Sequence, residues 1–327
     1  MSSTLTQHLP GFKTPADFFE LYDVSRSSYD TYKKNLKYIG QWLDEHNLPG
    51  NLPMEPTIIK DYLLDLVNQK YKPNTIDQRR FSIGWLHRLN GFNDEHNPVY
   101  HPALRRIGRQ VKLIRAERKL SNRPTQKEPL TFTNLKKLLR RCPVTTMHGL
   151  RDRAVLLLGF ATGLRRSELV DLDAQDIKPL KDKKTSTARV FIIKSKSDQL
   201  AKGQSVVIDA PGGRFCPLTA VKNWKEAAGI RNGKLFRRIR GNDSVQTEGL
   251  QPGAIGEIIK KYCEKAGLDP DFYAGHSLRR GVLITCIRKG QALKDVKEHA
   301  RHSRTATTEH YLGDTVSQEN VTKGIFG

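Results

Sequence analysis

Apolar residues recur at three- and four-residue intervals along most of the chain, the period of one helix face, which predicts a mainly helical protein. Between Ser28 and Asn47 the stripe is Tyr32, Leu36, Ile39 and Leu43, and between Pro56 and Gln69 it is Ile59, Tyr62, Leu63 and Leu66. A third helix is expected from about Thr75 to Leu89, with Arg79, Arg80 and Arg88 off its apolar side. In the fourth segment, HPALRRIGRQVKLIRAERK, the spacing turns Leu104, Ile107, Val111 and Ile114 inward. Arg105, Arg106, Arg109, Lys112, Arg118 and Lys119 are left to face a ligand or solvent. Pro, Gly and Asn punctuate these four segments, which together make a small helical domain over residues 12–118.

The polar, proline-containing stretch KLSNRPTQKEPL breaks the pattern and predicts a linker at 119–129. A second domain, 130–313, opens with a helix around Thr133 and Leu135 to Leu139, followed by the apolar helix RDRAVLLLGFAT from Arg151 to Thr162. The pattern then shortens and becomes β-branched. ARVFIIKS and QSVVIDA predict paired strands around the polar turn KSDQLAKG. Helices resume at about Leu218 to Ala228, Ala254 to Ala266, Ser277 to Arg288 and Leu293 to Glu298, ahead of a tail at 314–327. The expected fold class is mainly α with a small antiparallel β-sheet: an N-terminal helical domain and a mixed α/β domain.

Composition adds a partner to this outline. A length of 327 residues suits two domains with sizeable cores. The 56 Lys and Arg against 34 Asp and Glu leave +22 at neutral pH, enough to attract a polyanion, with nucleic acid the first candidate. Nine of the cations fall between His101 and Lys127, against the single acid Glu117. If roughly six to ten phosphates are neutralised, affinity should fall by about three to five orders of magnitude between about 50 and 200 mM salt. Cysteines at 142, 216, 263 and 286 have no close pairing, so neither a disulfide framework nor a two-plus-two zinc arrangement is expected. MSSTLTQHLPGF lacks the features of a secretion signal, and no apolar run approaches the roughly 18 residues of a membrane span. A soluble cytoplasmic protein is expected.

Three short stretches carry candidate chemistry. In ATGLRRSELVDL, Gly163 supplies a turn and Arg165 starts a helix, where Glu168 three residues on can orient its guanidinium. AGHSLRRG repeats the spacing with His276 and Arg279, whose heads would project from one helix side toward neighbouring oxygens of one phosphate. HSRTATTEHY ends on Tyr311. Each is ordinary alone, since helix salt bridges, solvated arginines and packed tyrosines are common.

In order, they describe a reaction. Arg165 and Arg279 could hold the non-bridging oxygens of a phosphate as it becomes pentacoordinate, while Tyr311 attacks. Its phenol titrates near about 10 in water, so it needs a cationic pocket or a base. His276 is the candidate base, and His302 a donor to the phosphate. Lys196, beside the turn between the strands, could protonate the departing sugar oxygen; Lys194, on the same strand face, is its rival. Positive side chains supply the charge that a metal supplies in a nuclease, so no metal is expected. His299, His302 and His310 lack a convincing fourth zinc ligand.

TGLRRSELVDL, HSLRRG and HSRTATTEHY, with the final histidine nine residues before the tyrosine, resemble the boxes of the tyrosine recombinases, the phage-integrase family. The likeness spans about residues 130–313, behind a helical domain that matches in arrangement more than in letters. The resemblance implies a core-binding domain that grips duplex DNA, with Arg79, Arg80, Arg105, Arg106, Arg109, Lys112, Arg118 and Lys119 as candidate contacts, and a catalytic domain in which Arg165, Lys196, His276, Arg279 and His302 surround the scissile phosphate. It favours Lys196 over Lys194, because IIKSKSDQ resembles the family's turn between the second and third strands, and makes Glu168 the acid that braces Arg165. The implied chemistry is a 3'-phosphotyrosyl link and a free 5'-hydroxyl, then attack by a partner strand's hydroxyl, with no ATP, metal or other cofactor. The family works as a tetramer on two sites, so a homotetramer is implied.

Two departures stand out. Many relatives have glycine before the last histidine, where this chain has Arg301, and Arg166 beside Arg165 is an added charge that could contact DNA. The last 16 residues, LGDTVSQENVTKGIFG, carry scattered apolar positions that could cover a groove on the same subunit or on a neighbour. Two rival functions are a type IB topoisomerase, which rejoins the original strand, and a non-catalytic DNA-binding protein on the same fold. Simple binding does not need the tyrosine.

Overall fold

The chain divides into two compact units, residues 1–125 and 126–327. The computed structural model describes residues 5, 24, 26–120, 127–181, 186–192, 203–302, 305, 308 and 309.

Five helices are described in the first unit: α1 (Arg26–Glu45), α2 (Pro56–Asn68), α3 (Pro73–Leu89), α4 (Pro102–Arg105) and α5 (Ile107–Glu117). A proline opens α2, α3 and α4, at the position where a missing N–H forfeits no helical bond. Their stripes meet in one core, with Leu36, Ile39 and Leu43 packed among Ile59, Leu63, Leu66, Ile83, Leu86, Leu104, Ile107 and Val111.

The structure revises two expectations here. The fourth segment is not one helix: the chain turns at Arg106 (φ −98°, ψ 0°), just ahead of Gly108, whose poor helix propensity makes a break there cheap. Arg79 is not a surface cation. It is 7% exposed, its Nη1 donates to the Tyr62 hydroxyl at 2.8 Å, and its guanidinium lies 4.6 Å from the ring centroids of both Tyr38 and Tyr71. The period along α3 marked it as off the apolar face, but tyrosines from other segments close over it.

In the second unit, α6 (Phe132–Arg141) leads to α7 (Met147–Thr162) and α8 (Arg166–Asp171). Strands β1 (Ile177–Lys181), β2 (Ser186–Ile192) and β3 (Gln204–Asp209) form an antiparallel sheet in that order. Next come α9 (Pro217–Ala227), the hairpin β4 (Arg237–Ile239) and β5 (Val245–Gly249), and α10 (Pro252–Lys265), α11 (Ser277–Arg288) and α12 (Leu293–Ala300). Alternation buries Ala188, Val190 and Ile192 of β2 and Val206 and Ile208 of β3, with Ala188 opposite Ile208 and Val190 opposite Val206. Sequence patterning missed β1 because of Pro179, which is tolerated on an edge strand where no neighbour needs its N–H. It also missed the hairpin, whose short strands RRI and VQTEG carry no apolar alternation.

α7 is the axis of this unit and packs against α9, α11 and β3. It begins earlier than its apolar run, at Met147, where Thr146 Oγ1 accepts the Gly149 N–H at 3.1 Å. Its charged opening is buried as well. Asp152, fully buried, accepts from Arg151 Nε at 3.0 Å and Nη2 at 2.7 Å and from the Tyr262 hydroxyl at 3.1 Å, with Lys261 Nζ at 3.3 Å. Arg153 donates to the carbonyls of Leu139, at 2.7 Å, and Arg214. The four cysteines are free. Among the described residues no helix is long and apolar enough to cross a membrane.

Candidate active site

Where α7 ends, Gly163 adopts a left-handed conformation (φ 59°, ψ 23°) and its N–H bonds Gly159 O at 3.1 Å. The turn delivers Arg165 as the N-cap of α8, with extended backbone, rather than as its first helical residue. Glu168 therefore serves the guanidinium and the cap together: Oε1 accepts from Arg165 Nη1 at 2.8 Å, and Oε2 accepts the Arg165 backbone N–H at 2.9 Å. Burial of Glu168 raises its pKa, but Arg301 first, and then Arg165, reverse this and hold it below the ordinary carboxylate value.

Arg279 sits in the first turn of α11 and is 5% exposed. Its Nη1 donates to Gly163 O at 2.6 Å and its Nη2 to Ala300 O, so it clamps the end of α12 to the end of α7. His299 makes a parallel tie, Nε2 to Ala161 O at 3.0 Å. His276 is the exposed N-cap of α11, so it and Arg279 are not two heads on one open helix face. Both nonetheless belong to one cationic cluster: loss of solvent and then Arg166, Arg279 and Arg165 lower the His276 pKa. The stem of Arg166 lies across Gly275, where an added Cβ would run into Arg166 Cδ.

His302 follows α12 and is 9% exposed, with Nδ1 2.9 Å from the Thr308 hydroxyl. Desolvation, followed by Arg279, Arg165 and Arg301, lowers its pKa to about 4, so it is neutral near pH 7. Thr308, fully buried, gives a purpose to one hydroxyl in HSRTATTEHY that the sequence left unexplained. Arg165, Arg279, His276 and His302 are thus brought together from separate stretches of the chain. Lys194, Lys196 and Tyr311, and the tail at 314–327, lie outside the described residues.

One residue of this cluster stood out in the sequence only as a departure. Arg301 caps α12 in a left-handed conformation (φ 55°, ψ 45°), and its Nη2 lies 2.5 Å from Glu168 Oε2. A long cation at the left-handed position behind a helix, next to the final histidine, is the signal that could have found it. In the first unit, Arg105, Arg106, Arg109, Lys112, Arg118 and Lys119 are exposed and Arg80 is half-buried, whereas Arg115 is 3% exposed and donates to Tyr71 O at 2.6 Å. Among the described residues no group of three His, Cys, Asp or Glu side chains is placed to hold a metal ion.

A helical scaffold with a small antiparallel sheet thus carries two arginines and two histidines behind the ends of α7 and α12 and at the start of α11. Residues 128–317 match the model of the phage integrase family, and the chain belongs to that family, the tyrosine recombinases. An integrase/recombinase XerD homologue of Selenomonas ruminantium is 32% identical over 275 residues, 83% of this chain and 76% of the relative. The tyrosine recombinase XerD of Rickettsia conorii is 23% identical over 292 residues, 88% of each chain. The crystal structure of the XerH site-specific recombinase in a post-cleavage complex with its palindromic difH substrate shares the fold, with a TM-score of 0.65 at 16% identity over 91% of this chain and 79% of that one. Site-specific recombination therefore stands ahead of the topoisomerase and the non-catalytic alternatives.

Proposed function

We propose that the second unit cuts and rejoins duplex DNA with Tyr311 as nucleophile, while Arg165 and Arg279 stabilise the charge that builds on the phosphate. The phenolic oxygen attacks phosphorus, the bond from phosphorus to the 5' oxygen breaks, and a 3'-phosphotyrosyl ester forms. His276, whose pKa is lowered by loss of solvent and then by its cationic neighbours, takes the phenolic proton. His302, also neutral, donates to a phosphate oxygen. Lys196 gives a proton to the leaving 5' oxygen. A partner strand's 5'-hydroxyl then attacks the phosphotyrosine and releases Tyr311, conserving one phosphodiester per cycle.

The observation that carries this reading is that Arg279, 114 residues beyond Arg165 in the sequence, bonds Gly163 O and Ala300 O, each two residues before Arg165 and His302, and so draws the three stretches together. Arg165 and Arg279 beside two neutral imidazoles suit a phosphate passing through a pentacoordinate state. The exposed cations from Arg105 to Lys119 supply the grip on the DNA backbone, and a homotetramer holds two sites. The XerH relative was solved on its difH substrate and a λ integrase dimer on a core site, which supports the same class of ligand here. A cytoplasmic setting, where such DNA resides, belongs to the reading.

A duplex nicked near the cleavage point tests it. Protein should become covalently trapped on the 3' end, and Tyr311→Phe should abolish the adduct; an adduct that persists in that variant removes Tyr311 as nucleophile. Lys196→Ala should slow cleavage without weakening duplex affinity, and a 5'-phosphorothiolate, whose sulfur leaves unprotonated, should restore much of the rate. Rescue confined to a Lys194 variant would transfer the role.

A further inference from the structure

Glu168 is a buried carboxylate between two guanidinium groups. Arg165 occupies Oε1 through its side chain and Oε2 through its backbone N–H, and Arg301 reaches Oε2 from the end of α12, 133 residues further along the chain. The two arginines are not equivalent. The Arg165 side chain keeps 25% of its surface exposed, while Arg301 keeps 6% and Glu168 1%. Arg165 is thus the open side of the triad and Arg301 its buried back.

Charge balance gives the arrangement a consequence. A carboxylate paired with Arg165 alone would orient that guanidinium but would also cancel its charge toward an approaching phosphate, and in a site of low dielectric this loss is large. A second guanidinium on the same carboxylate leaves the triad with one net positive charge, on the side that is exposed. The backbone points the same way. Residue 301 is left-handed, a conformation that favours glycine, so the arginine carries a conformational cost that the turn itself does not require. Arg301 Nε and Nη1 are buried and have no hydrogen-bond partner among the described residues, so its anchor there is the Glu168 carboxylate.

We propose that Arg301 is a positioning residue for recombination: by sharing Glu168 with Arg165 it fixes the carboxylate and offsets its charge, leaving the charge of Arg165 for the scissile phosphate. This rests on the reading that Arg165 contacts that phosphate. It acts through Arg165 and does not touch DNA. It also bears on His302, whose charged neighbours are Arg279, Arg165 and Arg301, with Thr308 at Nδ1.

The test is single-turnover adduct formation by the full chain on the nicked duplex, in wild type, Arg165→Ala, Arg301→Gly, Arg301→Lys, Glu168→Gln and the double variants of positions 168 and 301. Arg301→Gly should slow adduct formation by roughly 10- to 100-fold, the scale of misplacing a contact group, with duplex affinity unchanged and thermal stability read in parallel. Arg301→Lys, which keeps the charge without the fork, should fall between. In a Glu168→Gln background, where there is no carboxylate charge to offset, Arg301→Gly should cost far less. An NMR titration of His302 should move upward in Arg301→Gly. Wild-type cleavage by Arg301→Gly, or an equal loss in both backgrounds, overturns the proposal and leaves the role of Arg165 intact. Normal cleavage by Arg165→Ala instead removes the reading beneath it. Should Arg301→Gly fail to fold, the same cycle with Arg301→Lys decides.

Discussion

The two units use their positive charge in opposite ways. Along α4 and α5, Arg105, Arg106, Arg109, Lys112 and Lys119 stand in solvent, where a cation keeps its long-range field and is answered by mobile ions. In the second unit Arg151 and Arg153 are 7% exposed, the first committed to Asp152 and the carbonyl of Arg237, the second to the carbonyls of Leu139 and Arg214. The first unit has a minority of the buried kind in Arg79 and Arg115. A formal charge of +22 therefore overstates what is available to a ligand, because several arginines serve as cross-links between segments. Only the tertiary fold distinguishes the two uses.

That contrast breaks most visibly at Asp152. Asp152→Ala leaves Arg151 buried without its counter-charge and should cost about 3–5 kcal/mol of stability in denaturant unfolding, whereas neutralising any exposed arginine of α5 should cost next to nothing. At the site itself, Arg165→Ala or Arg279→Ala should lower single-turnover cleavage by roughly 100-fold or more, the scale of losing a transition-state donor. Arg279→Ala should also lower the melting temperature, because two carbonyls lose their donor. Near-normal cleavage in either variant contradicts its role.

Arg79→Ala should destabilise by about 2 kcal/mol, from the buried hydrogen bond and the two ring stackings, and leave the salt dependence of duplex binding unaltered. Replacing Arg105, Arg106 and Arg109 by Ala should do the reverse. Stability should change by no more than about 0.5 kcal/mol, while the slope of log affinity against log salt flattens by about 0.9 for each phosphate no longer neutralised. A flattened slope in Arg79→Ala would mean that the buried arginine reaches DNA after all.

One more effect appears only in acid. His302 has a folded pKa of about 4, below its ordinary value, so the unfolded chain binds more protons between that value and about 6.5. Its contribution is absent above that window, and stability falls as pH drops through it, by at most about 1.4 kcal/mol per pH unit. His87 in the first unit is lowered by burial too, so both units weaken in acid. Urea unfolding of His302→Gln across about pH 4–7 should show a shallower fall than wild type.

Much of this was legible in the chain. The period of apolar residues located the helices within a few residues, and α11 at its observed bounds, because burial of one face is a local demand that each segment meets with its own side chains. The Arg165–Glu168 pair was readable for the same reason: three residues of sequence separation bring them together whether the arginine is helical or, as found, the cap. β1 escaped because Pro179 is acceptable only on an edge, and edges are set by strand order.

What sequence determined alone was the local order: which stretches coil, where they stop, which faces are apolar, and that a set of Arg, His and Tyr boxes stands in a recognisable series. Tertiary structure decided the partner of each charge. Asp152 meets Tyr262, Arg79 meets Tyr62, and Arg301 meets Glu168 across separations of 110, 17 and 133 residues. Periodicity says which way a side chain points relative to its own helix, but the fate of a guanidinium depends on what another segment sets against it, and that is fixed only when the chain has closed on itself.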